Sequence, residues 1–252
     1  MPFFKPNLQT KQLNELMFLI LEVPMPEKGS TLEKKSAFKK AILQNKDSIK
    51  RLVEKQGTKF FIDYSLVIMK ILQDSNTKIT TDCKEYSSLV KSFEELGMSD
   101  ALKFLDKFDI KQKVNEVINK NELHQTDINA FLEKMQKIMK EYNIIGNPAK
   151  ILIYHATFAA RADGNYTPEE KEAIRKVAER MGVTKEDFDL LQKLVRVQAR
   201  FHGIQVSSIN LKEHSPEQEL DDLYKEVLSK ESKTKEENSK DERRPATQLT
   251  IL

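Results

Sequence analysis

Apolar residues recur at intervals of three and four along most of the chain, which is the spacing of one buried face on an α-helix. The clearest stripe covers four turns and consists of Ile128, Phe131, Leu132, Met135, Ile138, Met139 and Tyr142. Together the stripes and the breaks between them predict helices over about 13–21, 31–55, 60–71, 86–96, 99–119, 128–142, 151–162, 167–181, 184–201 and 215–228. The pattern therefore predicts an all-α protein.

One predicted helix, over residues 151–162, is apolar on nearly every face. A helix of that kind is usually surrounded by other helices. We therefore expect a compact multi-helix bundle with this segment as its buried central helix. His155 lies on the same helix, and we interpret it as a core histidine and not as a metal ligand.

Changes in composition divide the chain into four parts. Residues 1–57 are expected to form an N-terminal helical extension packed on the core, residues 58–203 the main helical domain, and residues 204–228 a C-terminal helix. From residue 229 to residue 252 the chain has mixed charge, Ser and Thr without apolar periodicity. Such a segment cannot bury enough apolar surface to offset its ordering entropy, so we expect a disordered C-terminal tail.

Composition narrows the classes of function. The 252 residues include 42 basic and 39 acidic side chains, a net charge of +3, and the two signs are interspersed. This pattern favours a solvated surface over a nucleic-acid-binding stripe, and no basic–aromatic alternation suggests base stacking. Nucleic acid is therefore not an expected partner.

The chain is expected to be cytoplasmic. Cys83 is the only cysteine, so no intrachain disulfide can form, and a single thiol suits a reducing compartment. No stretch approaches the ~20 apolar residues of a transmembrane helix. The run at 16–21 is short, is bracketed by Glu15 and Glu22, and has no small-residue cleavage site, so it does not indicate a signal peptide.

The most informative local motif is DGNYTPEE, residues 163–170. Thr167 and Glu170 have the spacing of a capping box, in which each side chain binds the other residue's backbone amide. Pro168 suits the first helical position, where its missing N–H costs nothing. Gly164 supplies the unusual backbone angles of a turn, which Asp163 can close. A purely structural role therefore accounts for every residue.

The alternative is an ion site. Asp163, Gly164 and Glu170 match the fifth, sixth and twelfth positions of a calcium-binding EF-hand loop. The first and third positions fall on Ala159 and Arg161, which cannot replace two oxygen ligands, so a complete EF-hand is rejected. A weakly bound divalent cation remains the alternative, with four candidate ligands: Asp163, Asn165, Thr167 and Glu170.

A longer stretch, FAARADGNYTPEEKEAIRKVAERMGV at residues 158–183, resembles the signature of tellurite-resistance TerB-like domains. That family pairs an apolar helix ending in Ala-Asp-Gly with a Ser/Thr-Pro-Glu-Glu helix start and a closing Leu/Met-Gly-Ile/Val. The resemblance implies a compact all-α domain with an acidic face, in a family linked to metal stress or membrane-associated machinery. It implies a binding module and no enzymatic activity. The matching positions are Asp163, Gly164 and Glu170.

The extreme C-terminus carries a second candidate site. Thr250, Ile251 and Leu252 fit the Ser/Thr-any-apolar ending that PDZ domains bind by strand addition. A flexible tail would make such an ending accessible to a partner.

These observations favour a non-enzymatic intracellular interaction or adaptor module whose partner is a protein, with no resident cofactor. The four histidines show no metal-ligand spacing, and no phosphate-binding loop or nucleophile motif is present. The alternative hypothesis is a divalent-cation-binding or metal-stress-responsive protein that uses the turn at 163–170.

Overall fold

A computed structural model of the chain describes residues 8–22, 44, 47–48, 50–74, 107–162, 164–201 and 215–241. Those residues form α1 (Leu8–Ile20), α2 (Lys59–Gln73), α3 (Lys107–Asn119), a 3-10 turn (Leu123–Gln125), α4 (Ile128–Glu141), α5 (Pro148–Ala160), α6 (Pro168–Arg180), α7 (Lys185–Phe201) and α8 (Pro216–Asp241). Residues 50–56 are also helical. No strand occurs among the described residues, and the predicted all-α class is confirmed.

The centre of the bundle is α5, as the apolar segment predicted. Apart from Pro148 and Ile151, every residue of α5 is buried. The helices α2, α4, α6 and α7 all contact it. Because α5 is covered on several sides at once, it has no face left for solvent, which explains why its sequence shows no polar stripe.

Apart from α6, which contacts α2, α5 and α7, the other helices form two groups around α5. The first group consists of α2 with α3 and α4 against it, and the second consists of α1, α7 and α8, which contact one another. In the second group the apolar stripe of α1 lies on α7 and α8. From α8, Leu220, Leu223 and Val227 are buried in the same core. The N-terminal helix is thus an integral part of the packing.

Polar side chains mark the starts of α4, α5 and α8. The Asp127 carboxylate accepts hydrogen bonds from the amides of Asn129 and Ala130 at 2.9 and 3.0 Å. Asn147 does the same for α5, and Ser215 for α8. These bonds satisfy amides that the first turn of a helix leaves without a partner. The sequence therefore determines where these helices begin.

The C-terminal helix is longer than predicted. The sequence pattern placed its end near Leu228 and disorder from residue 229, whereas α8 continues to Asp241. This corrects the boundary. Apolar periodicity does stop near Leu228, but Lys and Glu are good helix formers, so the backbone can stay helical beyond the last apolar position. Residues 242–252 lie outside the described residues, where the disordered tail stays a prediction.

A buried lysine ties three helices together at the start of α5. Lys150 Nζ lies 2.7 Å from a carboxylate oxygen of Glu22 and 2.9 Å from one of Asp187, and its side chain is only 7% exposed. Lys230 of α8 also pairs with Asp187. Burial acts to raise the pKa of both carboxyls, but the bonds from lysine outweigh it, and the net effect is a lowered pKa for each.

The same junction needs a glycine. Gly146 has φ of +134°, and a β-carbon there would lie 3.1 Å from Ile151 Cδ1 and 3.4 Å from the Leu21 carbonyl oxygen. The next residue, Asn147, donates its backbone N–H to that carbonyl at 2.9 Å. The end of α1 and the start of α5 are therefore held in direct backbone contact.

Several predicted features lie outside the described residues. They are the helix over 86–96, the parts of the predicted helices at 31–43 and 99–106, and Cys83. Among the helices that are described, none combines the length and apolarity needed to cross a membrane.

Replacing Lys150 with methionine should lower the free energy of unfolding by about 2 kcal/mol, because Asp187 would lose a partner while remaining largely buried. Chemical denaturation followed by circular dichroism measures the loss. The matched control is Lys113→Met, which removes a half-exposed lysine paired with Glu116 and should change stability by less than about 0.5 kcal/mol. Equal losses for both variants would contradict the role assigned to Lys150.

Candidate functional site

The turn between α5 and α6 carries the motif predicted to be functional. Its backbone closes through hydrogen bonds from Ala162 N to Ala159 O at 3.0 Å and from Gly164 N to Arg161 O at 3.1 Å. Gly164 has φ of +84°, a left-handed conformation that favours glycine. The predicted use of this glycine as a turn residue is thus confirmed.

The capping box at the start of α6 is also present. Thr167 Oγ1 accepts from the Glu170 amide at 3.2 Å, and Glu170 Oε2 accepts from the Thr167 amide at 2.9 Å. The same carboxylate oxygen accepts from the Thr167 hydroxyl at 3.2 Å. Glu170 is 5% exposed, so its carboxylate is both buried and bound to the helix start. These contacts fix the direction in which α6 leaves the turn.

Beneath the turn lies a polar cluster that sequence reasoning missed. The Arg161 guanidinium carbon is 4.1 Å from the centre of the Tyr166 ring, a cation–π contact. Arg161 Nη2 also donates to Gln192 Oε1 at 3.4 Å, and Gln192 Nε2 donates to Thr157 Oγ1 at 2.9 Å. Burial raises the pKa of Tyr166 and lowers that of Arg161. The cluster connects α5, α7 and the turn.

Of the four predicted metal ligands, the structure describes three. Asn165 is exposed, while Thr167 and Glu170 form the capping box, and Asp163 lies outside the described residues. Within the part of the chain that is described, no group of three or more His, Cys, Asp or Glu side chains is arranged to hold a metal ion. A cation ligand role for Glu170 would compete with its bonds to Thr167. The divalent-cation alternative stays a prediction.

The other predicted site cannot be placed. Thr250, Ile251 and Leu252 lie outside the described residues, and the PDZ-ligand interpretation of the C-terminus stays a prediction.

His155 is a core residue, as predicted. The Tyr64 hydroxyl oxygen is 2.6 Å from His155 Nδ1, and the two rings meet edge to face. His155 is 0% exposed, and burial lowers its pKa to about 3. The pair borders a small cavity of about 50 Å³, whose other lining side chains are apolar. A space of that size is far below the ~300 Å³ of an ordinary ligand pocket.

An open groove of about 590 Å³ lies between the end of α2 and the outer side of α6, and we call it the α6 groove. It is lined by Asp74, Glu169, Glu172, Ala173, Lys176, Val177, Glu179 and Arg180. Val177 is 2% exposed and Ala173 is partly buried, so the groove has an apolar floor. The remaining lining residues are charged.

Charges on the rim of the α6 groove are partly paired within α6. Arg175 pairs with Glu172 at 2.6 Å and also with Glu179, and Lys176 lies 3.9 Å from Glu172. Hydrogen bonding to Arg175 lowers the pKa of Glu172. Sequence reasoning missed the groove because it used only the inward stripe of α6. The available signal was an alanine, Ala173, placed among charged residues on the opposite stripe.

A comparison with known families supports the predicted resemblance. Residues 98–193 match the family described as tellurite resistance protein TerB. The match lies inside the predicted domain at 58–203 and includes α3 to α6, most of α7 and the whole motif at 158–183. It confirms the TerB-like resemblance and shows that the chain contains a TerB helical domain. No curated protein and no solved structure matches the chain.

The burial of His155 predicts a specific pH dependence. The folded pKa is depressed below the ordinary value of 6.5, so at acidic pH the unfolded chain binds a proton that the core excludes. The stabilisation from this group should be complete above pH 6.5 and be lost as the pH falls toward 3. In the His155→Gln variant, the free energy of unfolding should therefore decrease less than in wild type between pH 6.5 and pH 3.

The matched control for that measurement is His124→Gln, because His124 is exposed and hydrogen-bonded only locally, to the Asn121 carbonyl oxygen. It should retain the wild-type pH dependence. If His155→Gln folds poorly, NMR of the wild-type imidazole signals gives a second readout. A His155 signal that titrates near pH 6.5 in the folded protein would contradict the prediction.

Glu170→Gln should lower the free energy of unfolding by about 1 kcal/mol, because a neutral side-chain amide is a weaker acceptor than a carboxylate for the Thr167 amide and hydroxyl. Glu186→Gln is the matched control, since Glu186 is an exposed residue in the first turn of α7. Thermal melts with and without millimolar calcium separate the two hypotheses. We expect the loss to be independent of calcium, and a calcium-dependent loss would support the cation alternative.

Proposed function

We propose that this protein is a non-enzymatic helical interaction module and that the α6 groove is its partner-binding surface. The partner we propose is a protein that presents a helix. The observation that carries this proposal is the shape and chemistry of the groove, which combines an apolar floor with a charged rim on two well-packed helices.

The chemistry of the floor favours a protein segment as the occupant. Ala173 and Val177 are small, so a partner helix can approach the surface of α6 closely. Recognition of a helix in a groove uses apolar contacts along the centre and polar contacts at the edges. The groove offers both within a few turns of α6.

The rigidity of the groove supports the same proposal. The capping box fixes the start of α6, and Ile174, Val177 and Ala178 anchor its inner face in the core. A binding surface on a rigid helix loses little conformational entropy when a partner binds. The turn motif at 163–170 thus acts, in this proposal, by positioning the groove.

The C-terminus adds a second contact to the proposal. Thr250, Ile251 and Leu252 would bind a PDZ-type domain, so that one chain connects two partners as an adaptor. We propose a cytoplasmic location for this function, on the basis of the single cysteine, Cys83.

Replacing Ala173 with arginine should block the α6 groove, because a long charged side chain would cover the apolar floor. We expect proteins captured from a lysate of the source cells by the full chain to be reduced at least about tenfold by this change. Quantitative mass spectrometry of the captured proteins is the measurement.

Ala130→Arg is the matched control, since Ala130 is exposed on α4 away from the groove-lining residues. It should leave the captured set unchanged. A chain that lacks its last three residues tests the C-terminal contact separately. An identical set of captured proteins for wild type and Ala173→Arg would remove the groove from the proposal.

A further inference from the structure

We propose that the α6 groove surface binds the same surface of a second copy of this chain, with the two α6 helices antiparallel. This inference rests on the proposed function, because it names a partner for the same groove. The evidence for this inference is the order of charges along the outer face of α6.

Five charged residues of α6 line the groove, and four of them lie on its outer face in a fixed order. Glu169 and Glu172 come first, and Lys176 and Arg180 follow one to two turns later. Their spacing of three, four and four residues places them on one side of the helix. The first half of this face is therefore acidic, while the second half carries Lys176, Arg180 and Glu179, and Glu179 already pairs with Arg175 of its own chain.

An antiparallel arrangement brings opposite charges together. The midpoint between Glu172 and Lys176 is position 174, and the midpoint between Glu169 and Arg180 lies between positions 174 and 175. A single two-fold axis at this level therefore places Glu172 opposite Lys176 of the second copy, and Glu169 opposite Arg180. A symmetric interface requires this kind of self-complementary surface.

A parallel arrangement would instead place Glu172 opposite Glu172 and Lys176 opposite Lys176. Like charges at those positions would repel each other, so the charge order also selects the direction. Next to the axis, the groove surface carries Ala173, whose small side chain lets the two helices approach. The proposed contact is thus specific in both orientation and register.

The ion pairs within one α6 helix do not prevent the same residues from pairing with a second copy. The Lys176–Glu172 separation within one chain is 3.9 Å, and the lysine side chain is 66% exposed. Such surface pairs contribute little to stability, so an equivalent pair to a second chain costs little to form. Because ion pairs of this type add more to specificity than to affinity, we expect a reversible dimer.

Elsewhere, α6 is covered by helices of its own chain. Its inner side contacts α2, α5 and α7, and Asp74 at the end of α2 borders the groove that the four charged residues line. At the edge of the groove the chain passes from Asp74 into residues 75–106, which lie outside the described residues. Occupation of the groove by the chain itself is therefore an outcome that the experiment must distinguish.

The experiment uses two double variants of the full chain. Glu169→Lys with Glu172→Lys makes the face basic, and Lys176→Glu with Arg180→Glu makes it acidic. Analytical ultracentrifugation over a concentration series measures the dimer dissociation constant. We expect a concentration-dependent dimer for wild type and a dissociation constant at least about tenfold higher for each variant alone. An equimolar mixture should restore the wild-type constant within about threefold.

A charge exchange elsewhere provides the control. Glu133→Lys with Lys137→Glu changes two exposed residues of α4 and should leave the dimer unchanged. Circular dichroism melts establish that each variant is folded. If a double variant does not fold, the single variants Glu172→Lys and Lys176→Glu, measured alone and mixed, make the same test.

Two results would overturn the inference: a wild-type chain that stays monomeric at every concentration, or variants that do not associate when mixed. A monomeric wild type whose captured partner is lost on Ala173→Arg would leave the proposed function standing and remove only the self-association. The opposite outcome is a dimer that depends on the four charges while Ala173→Arg leaves the captured set of proteins unchanged. That outcome would keep the self-association and remove the proposed binding of other proteins.

Discussion

The burial of α5 constrains the rest of the structure. Because this helix is covered on several sides, each polar side chain along it must find a partner inside the protein. His155 meets Tyr64 of α2, while Tyr154 and Thr157 meet Gln198 and Gln192 of α7. These bonds join α5 to its two largest neighbours, and a shift of either helix along α5 would break at least one of them.

Contacts at the two ends of α5 also hold α1 and the turn into α6 in place. At its start, Lys150 connects the end of α1 with the start of α7, and Asn147 bonds to α1 through both its backbone and its side chain. Past its end, Arg161 packs on Tyr166 of the turn. The packing of α1 and the path into α6 therefore both depend on α5.

This arrangement explains how a structural motif can serve a binding function. The turn at 163–170 and its capping box orient α6 so that Ile174, Val177 and Ala178 face the core. The opposite side of the helix, with Ala173 and its charged neighbours, is left at the surface of the TerB helical domain. Residues that hold α6 in place are thus largely separate from residues that we propose to contact a partner, and Val177 belongs to both sets.

Local sequence determined most of the secondary structure. Apolar periodicity located the described helices, and the capping box at Thr167 and Glu170 marked a helix start that the structure reproduces. The buried position of α5 also followed from its sequence, because a helix without a polar face has few stable environments. Periodicity failed at the end of α8, because the helix propensity of Lys and Glu can extend a helix past its last apolar position.

Only the tertiary structure decided which polar residues meet. Tyr64 and His155 are 91 positions apart, and Lys150 joins Glu22 to Asp187, so no local pattern could pair them. The α6 groove likewise depends on α2 and α6 lying side by side. The sequence by itself determined where helices form and which faces are apolar, because those properties depend on neighbouring residues. The pairing of helices depends on shape and on the satisfaction of buried polar groups, and both exist only after the chain has folded.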